Sequence, residues 1–350
     1  MKQIKILLII TILYSTKSNA QNEITDFLIG STEAFQNDTE QLIEGYMSPF
    51  GKWFGTGLNA GWYNTAKAHQ FPGFDITGGI HFITAPKNAN SFSPNLEAFV
   101  IDNASGELAT FIGNPNTTTI KYTNPLTNEL EPLFNAPGGV DIGSEYPLPM
   151  PFIQGSIGLI KKTEFLFRFA PKVNIEDLEA GFWGIGIKHD IKQWIPGVDI
   201  LPFDFAFLAG YSNLNSSVNF EMPDQNLNFD VRAFNANLIL SKKISILTPY
   251  LGVGYQYSSS NLTLKGEYTI LDWDGETVLP TGSGTSVTVQ DPFDLSFGGV
   301  NGFKANAGVR LKVLLFTIHA EWAIAEYNMF TIGIGLNSDI GSKLIGGLLD

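Results

Sequence analysis

This cysteine-free chain has four histidines that could take part in acid–base or metal chemistry: His69, His81, His189 and His319. A zinc site gathers several histidine, cysteine or carboxylate ligands at close spacing. No two of these histidines stand at HxH or HxxxH spacing, and only His319 and Glu321 form a His–carboxylate pair on one face of an extended segment. We interpret that pair as hydrated polar side chains and predict no metal site.

The sequence also lacks the pattern of an activated nucleophile. Such a serine needs a histidine beside it and an acid or amide behind that histidine. No G-x-S-x-G sequence occurs, and the glycine pairs 184/186, 252/254 and 333/335 lie in alternating segments with no helix after them, unlike a phosphate-binding loop. We predict no catalytic residue, no cofactor and no enzyme; a hydrolase that uses His319 or His81 is the less favoured alternative.

Residues 1–20 have the features of a signal peptide. Lys2 and Lys5 precede an apolar run at 6–13, and residues 18–20 (Ser-Asn-Ala) offer the small residues that a signal peptidase reads. We expect export and cleavage after Ala20. Removing residues 1–20 takes away three of the 21 basic residues and none of the 34 acidic ones, so the mature chain has a formal charge of −16. That charge argues against a nucleic-acid partner.

Apolar residues alternate with polar or small ones along most of the chain after Pro49. In residues 303–313 every odd-numbered residue is apolar, while the even-numbered ones are Lys304, Asn306, Gly308, Arg310 and Lys312. Successive side chains of a strand point to opposite faces, so this pattern predicts a strand with one apolar face. Eleven such segments are predicted: 53–65, 73–84, 152–160, 164–171, 179–191, 202–213, 228–241, 248–262, 302–313, 315–325 and 328–337.

The predicted strands favour a membrane barrel over a soluble sandwich. Their length matches the tilted strands of a transmembrane barrel and exceeds the usual globular strand. Charges lie in the middle of several strands, as a hydrated lumen would allow, and aromatic residues gather near strand ends as in an interfacial girdle. The aromatic residues assigned to that girdle are Trp53, Trp62, Tyr63, Trp194, Tyr211, Tyr255, Tyr257, Trp322 and Tyr327.

The fold class that follows is all-β, a transmembrane antiparallel β-barrel over residues 51–350 with long external loops. Polar stretches at 86–150, 214–227 and 258–301 would form those loops. The first of them could hide further strands, for example at 96–101, so we expect about 12–14 strands in total.

One helical segment precedes the barrel. Apolar residues recur at roughly helical spacing over 23–47, and Pro49 should end that helix. Within a domain of residues 21–50, two placements stay open: a short helix on the periplasmic rim, or a plug inside the lumen.

If the apolar faces meet lipid, charged and histidine side chains on the opposite faces point into the lumen. That set comprises Asp75, His81, Glu164, Arg168, Lys188, Asp190, Asp204, Lys304, Arg310, Lys312, His319 and Glu321. It could form a salt-bridged network that fills the lumen, or line a polar passage for a solute. The residues expected to face lipid include Val309, Leu311, Ile318, Ala320, Phe330 and Ile332.

Three sequence segments carry a resemblance: Leu58 to Lys67 with Gly73-Phe74-Asp75, Pro147 to Pro151, and Gly184 to Pro196. They resemble an uncharacterised family of outer-membrane barrel proteins found in Bacteroidetes. The resemblance implies a cell outer-membrane location and no particular activity. The architecture is also distantly similar to the long-chain fatty-acid transporter superfamily, whose N-terminal segment plugs the barrel, although that family's asparagine–proline signature is absent here.

The leading functional hypothesis is therefore a channel or transporter for a small molecule, with hydrophobic molecules included. The alternative is a structural or interaction barrel with a closed, salt-bridged lumen. The expected partners are outer-membrane lipid and a small hydrophobic solute; the sequence names no protein partner.

Overall fold

The computed structural model describes residues 36–124, 127–142, 146–175, 178–198, 200–220, 222, 224–271 and 286–338. The predicted signal peptide and the following residues 21–35 lie outside these ranges. None of the helices described is both long and apolar enough to cross a bilayer.

The described residues form one α-helix, two short 3-10 helices and 17 strands. The α-helix, α1, is Gln36–Asn59, and the 3-10 helices are Lys87–Asn90 and Lys192–Trp194. The strands are β1 Phe74–Thr84, β2 Ser91–Phe92, β3 Phe99–Ile101, β4 Leu108–Ala109, β5 Thr118–Thr123, β6 Leu130–Ala136, β7 Leu148–Gly158, β8 Thr163–Ile175, β9 Leu178–Asp190, β10 Asp204–Asn219, β11 Asn226–Ser241, β12 Leu247–Lys265, β13 Glu267–Leu271, β14 Ser286–Gln290, β15 Phe293–Val313, β16 Phe316–Ile324 and β17 Asn328–Ser338.

Ten of these strands close into an antiparallel barrel in the order β1-β17-β16-β15-β12-β11-β10-β9-β8-β7. The seam pairs β1 with β17, from Phe74 opposite Ser338 to Thr84 opposite Asn328. The other edge of β1 pairs with β7, which completes the circle. The predicted fold class is confirmed.

Two strand predictions are wrong. The barrel has ten strands instead of about 12–14, because the strands within 86–150 form two small sheets, β2-β4 and β3-β5-β6, outside the barrel. The predicted strand at 53–65 is instead the end of α1 followed by an irregular segment. Apolar residues lie on all sides of that segment because it is enclosed, so its sequence lacks the one-sided spacing of a surface helix.

The helix also differs from its prediction over 23–47. The described part begins at Gln36 and continues through Pro49, which lies inside α1. A proline in a helix interior costs a hydrogen bond and clashes with the preceding turn. Packing compensates for that cost here, because Phe50, Trp53 and Phe54 form a ring cluster with Phe229 of β11.

Residues 36–73, which we call the lumen segment, pass through the barrel from end to end. A Cβ built on Gly51 would lie 3.3 Å from that of Ser260, and Asn59 Nδ2 donates to the Tyr257 carbonyl at 3.1 Å. Helix α1 therefore runs along β12 in the direction from the C-terminal end of that strand to its N-terminal end, which we call downward. Below the helix, the Ala66 amide donates to Ser241 Oγ at 2.9 Å, and Gln70 forms a bridge with Leu159 at the opposite end. The chain then turns back as β1.

The wall of the barrel changes polarity along its height. On β12 the outward residues from Leu247 to Tyr257 include the exposed Leu251 and Val253, whereas further along the same face Asn261 and Thr263 follow. Eleven tilted residues cover about 25 Å, the height of an outer-membrane apolar band. Beyond that band the inward-facing residues of β12 become apolar: Leu262 and Leu264 are both buried inside the barrel. Strand β12 therefore projects beyond the membrane.

Candidate functional site: the filled lumen

The 12 predicted lumen residues differ in how far they are buried. Nine of them are buried: Asp75, His81, Glu164, Arg168, Lys188, Lys304, Arg310, His319 and Glu321. Asp190, Asp204 and Lys312 are half-buried. Of the residues predicted to face lipid, Val309, Leu311, Ile318 and Ile332 are exposed, whereas Ala320 and Phe330 are partly covered.

Two of the buried cations hold the end of α1. Arg168 Nη1 lies 3.5 Å from the Leu58 carbonyl, which also accepts the Trp62 indole N–H at 3.0 Å. Lys304 Nζ donates to the Asn59 carbonyl at 2.6 Å. The last carbonyls of a helix lack intrahelical partners and carry partial negative charge, so wall cations at this depth stabilise the helix end.

Arg168 is surrounded by planar groups. Its Nε donates to Gln154 Oε1 at 2.7 Å, and its guanidinium carbon lies 4.1 Å from the Trp62 ring centroid and 5.3 Å from that of Phe152. The His81 ring stacks on the Phe152 ring, with 4.3 Å between the two centroids. Stacking on aromatic faces stabilises a desolvated guanidinium.

Trp62 was predicted to be a girdle residue and instead lies fully buried inside the barrel. Three glycines of β9 and β10 make room for it. A Cβ at Gly184, Gly186 or Gly210 would lie 3.2, 2.7 or 2.9 Å from the indole ring. Tyr63, Trp53 and Tyr327 were also predicted to be girdle residues. Tyr63 and Trp53 instead belong to the lumen segment, and Tyr327 is buried at the β16–β17 turn.

We expect Gly186→Val to destabilise the barrel by about 2–3 kcal/mol, because overpacking forces the indole and the wall apart. Urea unfolding of the refolded protein in liposomes measures this change. Gly155→Val is the matched control, since a Cβ there meets nothing within 4 Å. If Gly186→Val unfolds at the wild-type urea concentration, Trp62 does not occupy this position.

A polar chain crosses the middle of the lumen. The Tyr63 hydroxyl donates to Asn306 Oδ1 at 2.6 Å, and Asn306 Nδ2 donates to Glu321 Oε2 at 2.8 Å. Glu321 thus binds an amide of the neighbouring strand, and the His319 ring lies against Gly333 of β17. No cluster of three or more histidine, aspartate or glutamate side chains among the described residues could hold a metal ion.

The lower end of the lumen segment is held by a buried ion pair. Lys188 Nζ lies 2.9 Å from Glu164 Oε2, and both side chains are at most 3% exposed. The same carboxylate oxygen accepts the His69 amide at 3.1 Å and lies 3.1 Å from His69 Nδ1. Wall charges from β8 and β9 therefore fix the residue at which the segment leaves the lumen.

A second polar group lies beside this ion pair. Asn337 Nδ2 donates to Asp75 Oδ2 at 2.7 Å and lies 2.7 Å from His69 Nε2, while Lys312 Nζ contacts the Asn337 side-chain oxygen. Asp190, by contrast, pairs with Lys162 of a turn at 3.3 Å, so it belongs to the rim.

Sequence patterns assigned the wall charges but missed their partners in the lumen segment. The carbonyls of Leu58 and Asn59 and the ring of Trp62 lie in the region that the sequence assigned to a strand. The three facing glycines were the available signal, because they indicated that a bulky group needed room.

The closed antiparallel barrel with an apolar outer band is an outer-membrane-type β-barrel, here filled by its own N-terminal segment. The chain belongs to a family of unknown function, DUF6588, which matches residues 1–338. This fits the uncharacterised family that the sequence resembles, whereas the bacterial group and the link to fatty-acid transporters stay predictions. No functionally curated protein matches the chain.

Similar solved structures include three bacterial proteins. Ail, the attachment invasion locus protein of Yersinia pestis, is 8% identical over 76% of this chain and 98% of its own, with a TM-score of 0.25. Neisserial surface protein A is 9% identical over 76% and 97%, with a TM-score of 0.23. The translocator domain of the autotransporter NalP from Neisseria meningitidis is 9% identical over 86% and 97%, with a TM-score of 0.27. Scores this low support no functional argument.

Proposed function

We propose that this protein is a closed outer-membrane barrel that anchors a rigid binding platform at the cell surface. The observation that carries the proposal is the lumen segment, which occupies the barrel from one end to the other. Its helix end binds Arg168 and Lys304, and its lower end binds the Glu164–Lys188 pair. Withdrawing it would take the helix-end carbonyls from Arg168 and Lys304 and the His69 amide from Glu164, leaving buried charged groups short of hydrogen-bond partners at a cost of several kcal/mol.

The platform consists of the described residues of 85–147 packed on the start of α1. The Asp38 carboxylate accepts the amides of Glu97, Ala98 and Phe99 at 2.8–3.1 Å. The Phe111 amide donates to the Tyr46 carbonyl at 3.0 Å. These bonds join the two small sheets to the helix, so the external residues and the lumen segment form one rigid unit.

Transport of a small molecule is the second candidate. The polar inner wall and the single continuous segment that fills it favour this reading, because displacing one segment would open a hydrated path. The two candidates differ in whether the lumen segment moves.

A disulfide between the lumen segment and the wall tests that difference. In Gly51→Cys/Ser260→Cys the two Cβ atoms would lie 3.3 Å apart, close to the spacing of about 3.5–4.5 Å in native disulfides, and the chain has no other cysteine. We expect no KCl conductance in planar bilayers from the wild type or from the double variant, oxidised or reduced. A general porin in the same bilayers shows that open barrels are detected. Conductance by the wild type and by the reduced double variant, lost when the double variant is oxidised, would instead establish a mobile segment.

A further inference from the structure

One end of the barrel is rich in lysine. This end, which we call the turn end, carries the connections 159–162, 191–203, 242–246 and 314–315 and the exit of the lumen segment. Six of its lysines are exposed or half-buried, and we call them the lysine arc: Lys67, Lys161, Lys162, Lys192, Lys242 and Lys243. The acids beside the arc are the half-buried Asp190 and Asp204, and Asp199 of the link lies outside the described residues. Cations therefore outnumber acids there by at least three, in a chain whose formal charge is −13.

The lysine arc is continuous along one side of the turn end, from β7 to β12. Gln193 Nε2 donates to the Lys161 carbonyl at 3.1 Å, which joins the β7–β8 turn to the β9–β10 link. Ser241, which ends β11, accepts the Ala66 amide at 2.9 Å, so Lys67 lies beside the β11–β12 turn. The arc is therefore one surface, contributed by neighbouring connections.

The arc begins where the lipid-facing apolar band ends. On β11 the outward side chains of Leu238 and Leu240 are exposed, and Lys242 follows in the same alternation. The Lys242 amide donates to the Pro249 carbonyl at 3.2 Å, so the ladder with β12 continues to this residue. Two residues of strand span about 7 Å, which places Lys242 just beyond the last apolar row, at the level of lipid headgroups.

Exposed apolar side chains lie among the lysines. Ile160 is 78% exposed and Ile200 is 81% exposed, and Trp194 and Ile244 are also exposed. Apolar groups exposed together mark a surface that contacts a membrane or a partner. Tryptophan and lysine beside apolar residues are typical of the membrane interface, where the lysine stem stays in the apolar layer and its ammonium group reaches the headgroups. The turn end thus continues the lipid-contacting surface of the barrel.

Four lysines of the arc are available to a ligand. Lys162 Nζ lies 3.3 Å from Asp190 Oδ2, and Lys192 Nζ donates to the Leu201 carbonyl. The other four have no carboxylate within 4.0 Å among the residues that the structure describes: Lys67, Lys161, Lys242 and Lys243.

The platform at the other end has the opposite charge. Its described residues contain two lysines, Lys87 and Lys121, and six acids: Glu97, Asp102, Glu107, Glu129, Glu131 and Asp141. An anionic ligand is therefore attracted to the turn end and repelled from the platform.

We propose that the lysine arc is a binding site for anionic phospholipids. The lipid phosphates contact the ammonium groups of the arc, while the acyl chains lie against the apolar band next to it. The barrel then gathers anionic lipid around one of its two ends. The site lies outside the lumen, so it serves a closed barrel and a gated one alike.

Lipid selectivity of the full-length protein tests the proposal. The probes are dioleoylphosphatidylglycerol and dioleoylphosphatidylcholine, which share their acyl chains, added to the folded protein in a zwitterionic detergent; native mass spectrometry measures the bound fraction. The arc variant replaces the four unpaired lysines with glutamine: Lys67→Gln, Lys161→Gln, Lys242→Gln and Lys243→Gln. The control variant loses the same charge away from the turn end: Lys87→Gln, Lys121→Gln, Lys172→Gln and Lys265→Gln. Heat-modifiable mobility shows that each variant is folded.

We expect the natural protein and the control variant to bind phosphatidylglycerol about tenfold more tightly than phosphatidylcholine, and the arc variant to keep less than about a twofold preference. Concentrated KCl should weaken phosphatidylglycerol binding to the natural protein, a result that needs no variant. Should the arc variant not fold, Lys242→Gln/Lys243→Gln should lose part of the preference.

Three results would overturn the proposal. The first is equal binding of the two lipids by the natural protein. The second is an equal loss of preference in the control and arc variants. The third is displacement of phosphatidylglycerol by millimolar inorganic phosphate, which would make the arc a site for the free anion.

Discussion

Replacing Leu251 with arginine should prevent stable insertion of the barrel. Leu251 lies halfway along the outward apolar run of β12 and is 57% exposed. An arginine facing lipid near the bilayer midplane costs about 2–4 kcal/mol, a large part of the stability of a domain. The folded barrel should disappear from a heat-modifiable mobility gel, and the urea midpoint of any folded fraction in liposomes should fall.

The same substitution ten residues later on the same strand face should be tolerated. Asn261 lies above the apolar band, where its Nδ2 donates to Asp294 Oδ1 at 2.7 Å, so Asn261→Arg would place a cation beside a carboxylate. Alternation over residues 303–313 by itself predicts that Leu311→Arg impairs assembly and that Lys312→Gln is tolerated. Leu311 lies two residues from the end of β15, where an arginine costs little, so Leu251 is the more decisive position. Normal folding of Leu251→Arg with failure of Asn261→Arg would mean that the apolar band is misplaced.

Lys188→Met should destabilise the barrel by about 3–5 kcal/mol, because it leaves the Glu164 carboxylate buried without its cation. The ion pair spans 2.9 Å, and the carboxylate also fixes His69 at the exit of the lumen segment. The measurement is the free energy of unfolding in urea, with the folded barrel reconstituted in liposomes.

A double variant separates the charge from the packing. Glu164→Gln removes the uncompensated charge and keeps an acceptor for the His69 amide, so Lys188→Met/Glu164→Gln should recover most of the lost stability. Equal instability of the single and double variants would show that the loss comes from another contact of Lys188, such as that of its Nζ with the Thr65 carbonyl at 3.4 Å, and not from the unpaired Glu164 charge.

The barrel could be predicted from sequence because its strands have one apolar and one polar face. All ten barrel strands lie at positions that alternation predicted, with ends that differ by a few residues or, for β15, by nine. Residues 293–301 of β15 were missed because the strand leaves the membrane there and its outer face becomes polar at Asp294 and Ser296. Beyond the bilayer, apolar and polar residues no longer mark the lipid-facing and lumen-facing sides of a strand.

The lumen contacts could not be predicted because the lumen segment has no regular sequence pattern and its wall partners come from different strands. Residues 53–65 contain aromatic and small residues at spacings that suit a strand as well as an enclosed helix. Their partners, such as Gln154 with Arg168, come from strands whose relative register only the structure gives. The sequence left two alternatives for the wall charges, and it could not show that backbone carbonyls of the lumen segment would be their partners.

The seam between β1 and β17 joins the first barrel strand to the last, about 250 residues later. Loop-closure entropy makes such distant pairing slow, so the seam is expected to form after the local hairpins. The lumen segment is continuous with β1 and would have to be threaded through a finished ring if it arrived afterwards. Assembly is simplest when an open, curved sheet first binds the segment on its inner surface and the seam then pairs around it. The closed barrel would then enclose only a segment that was already bound before the last hydrogen bonds of the seam formed.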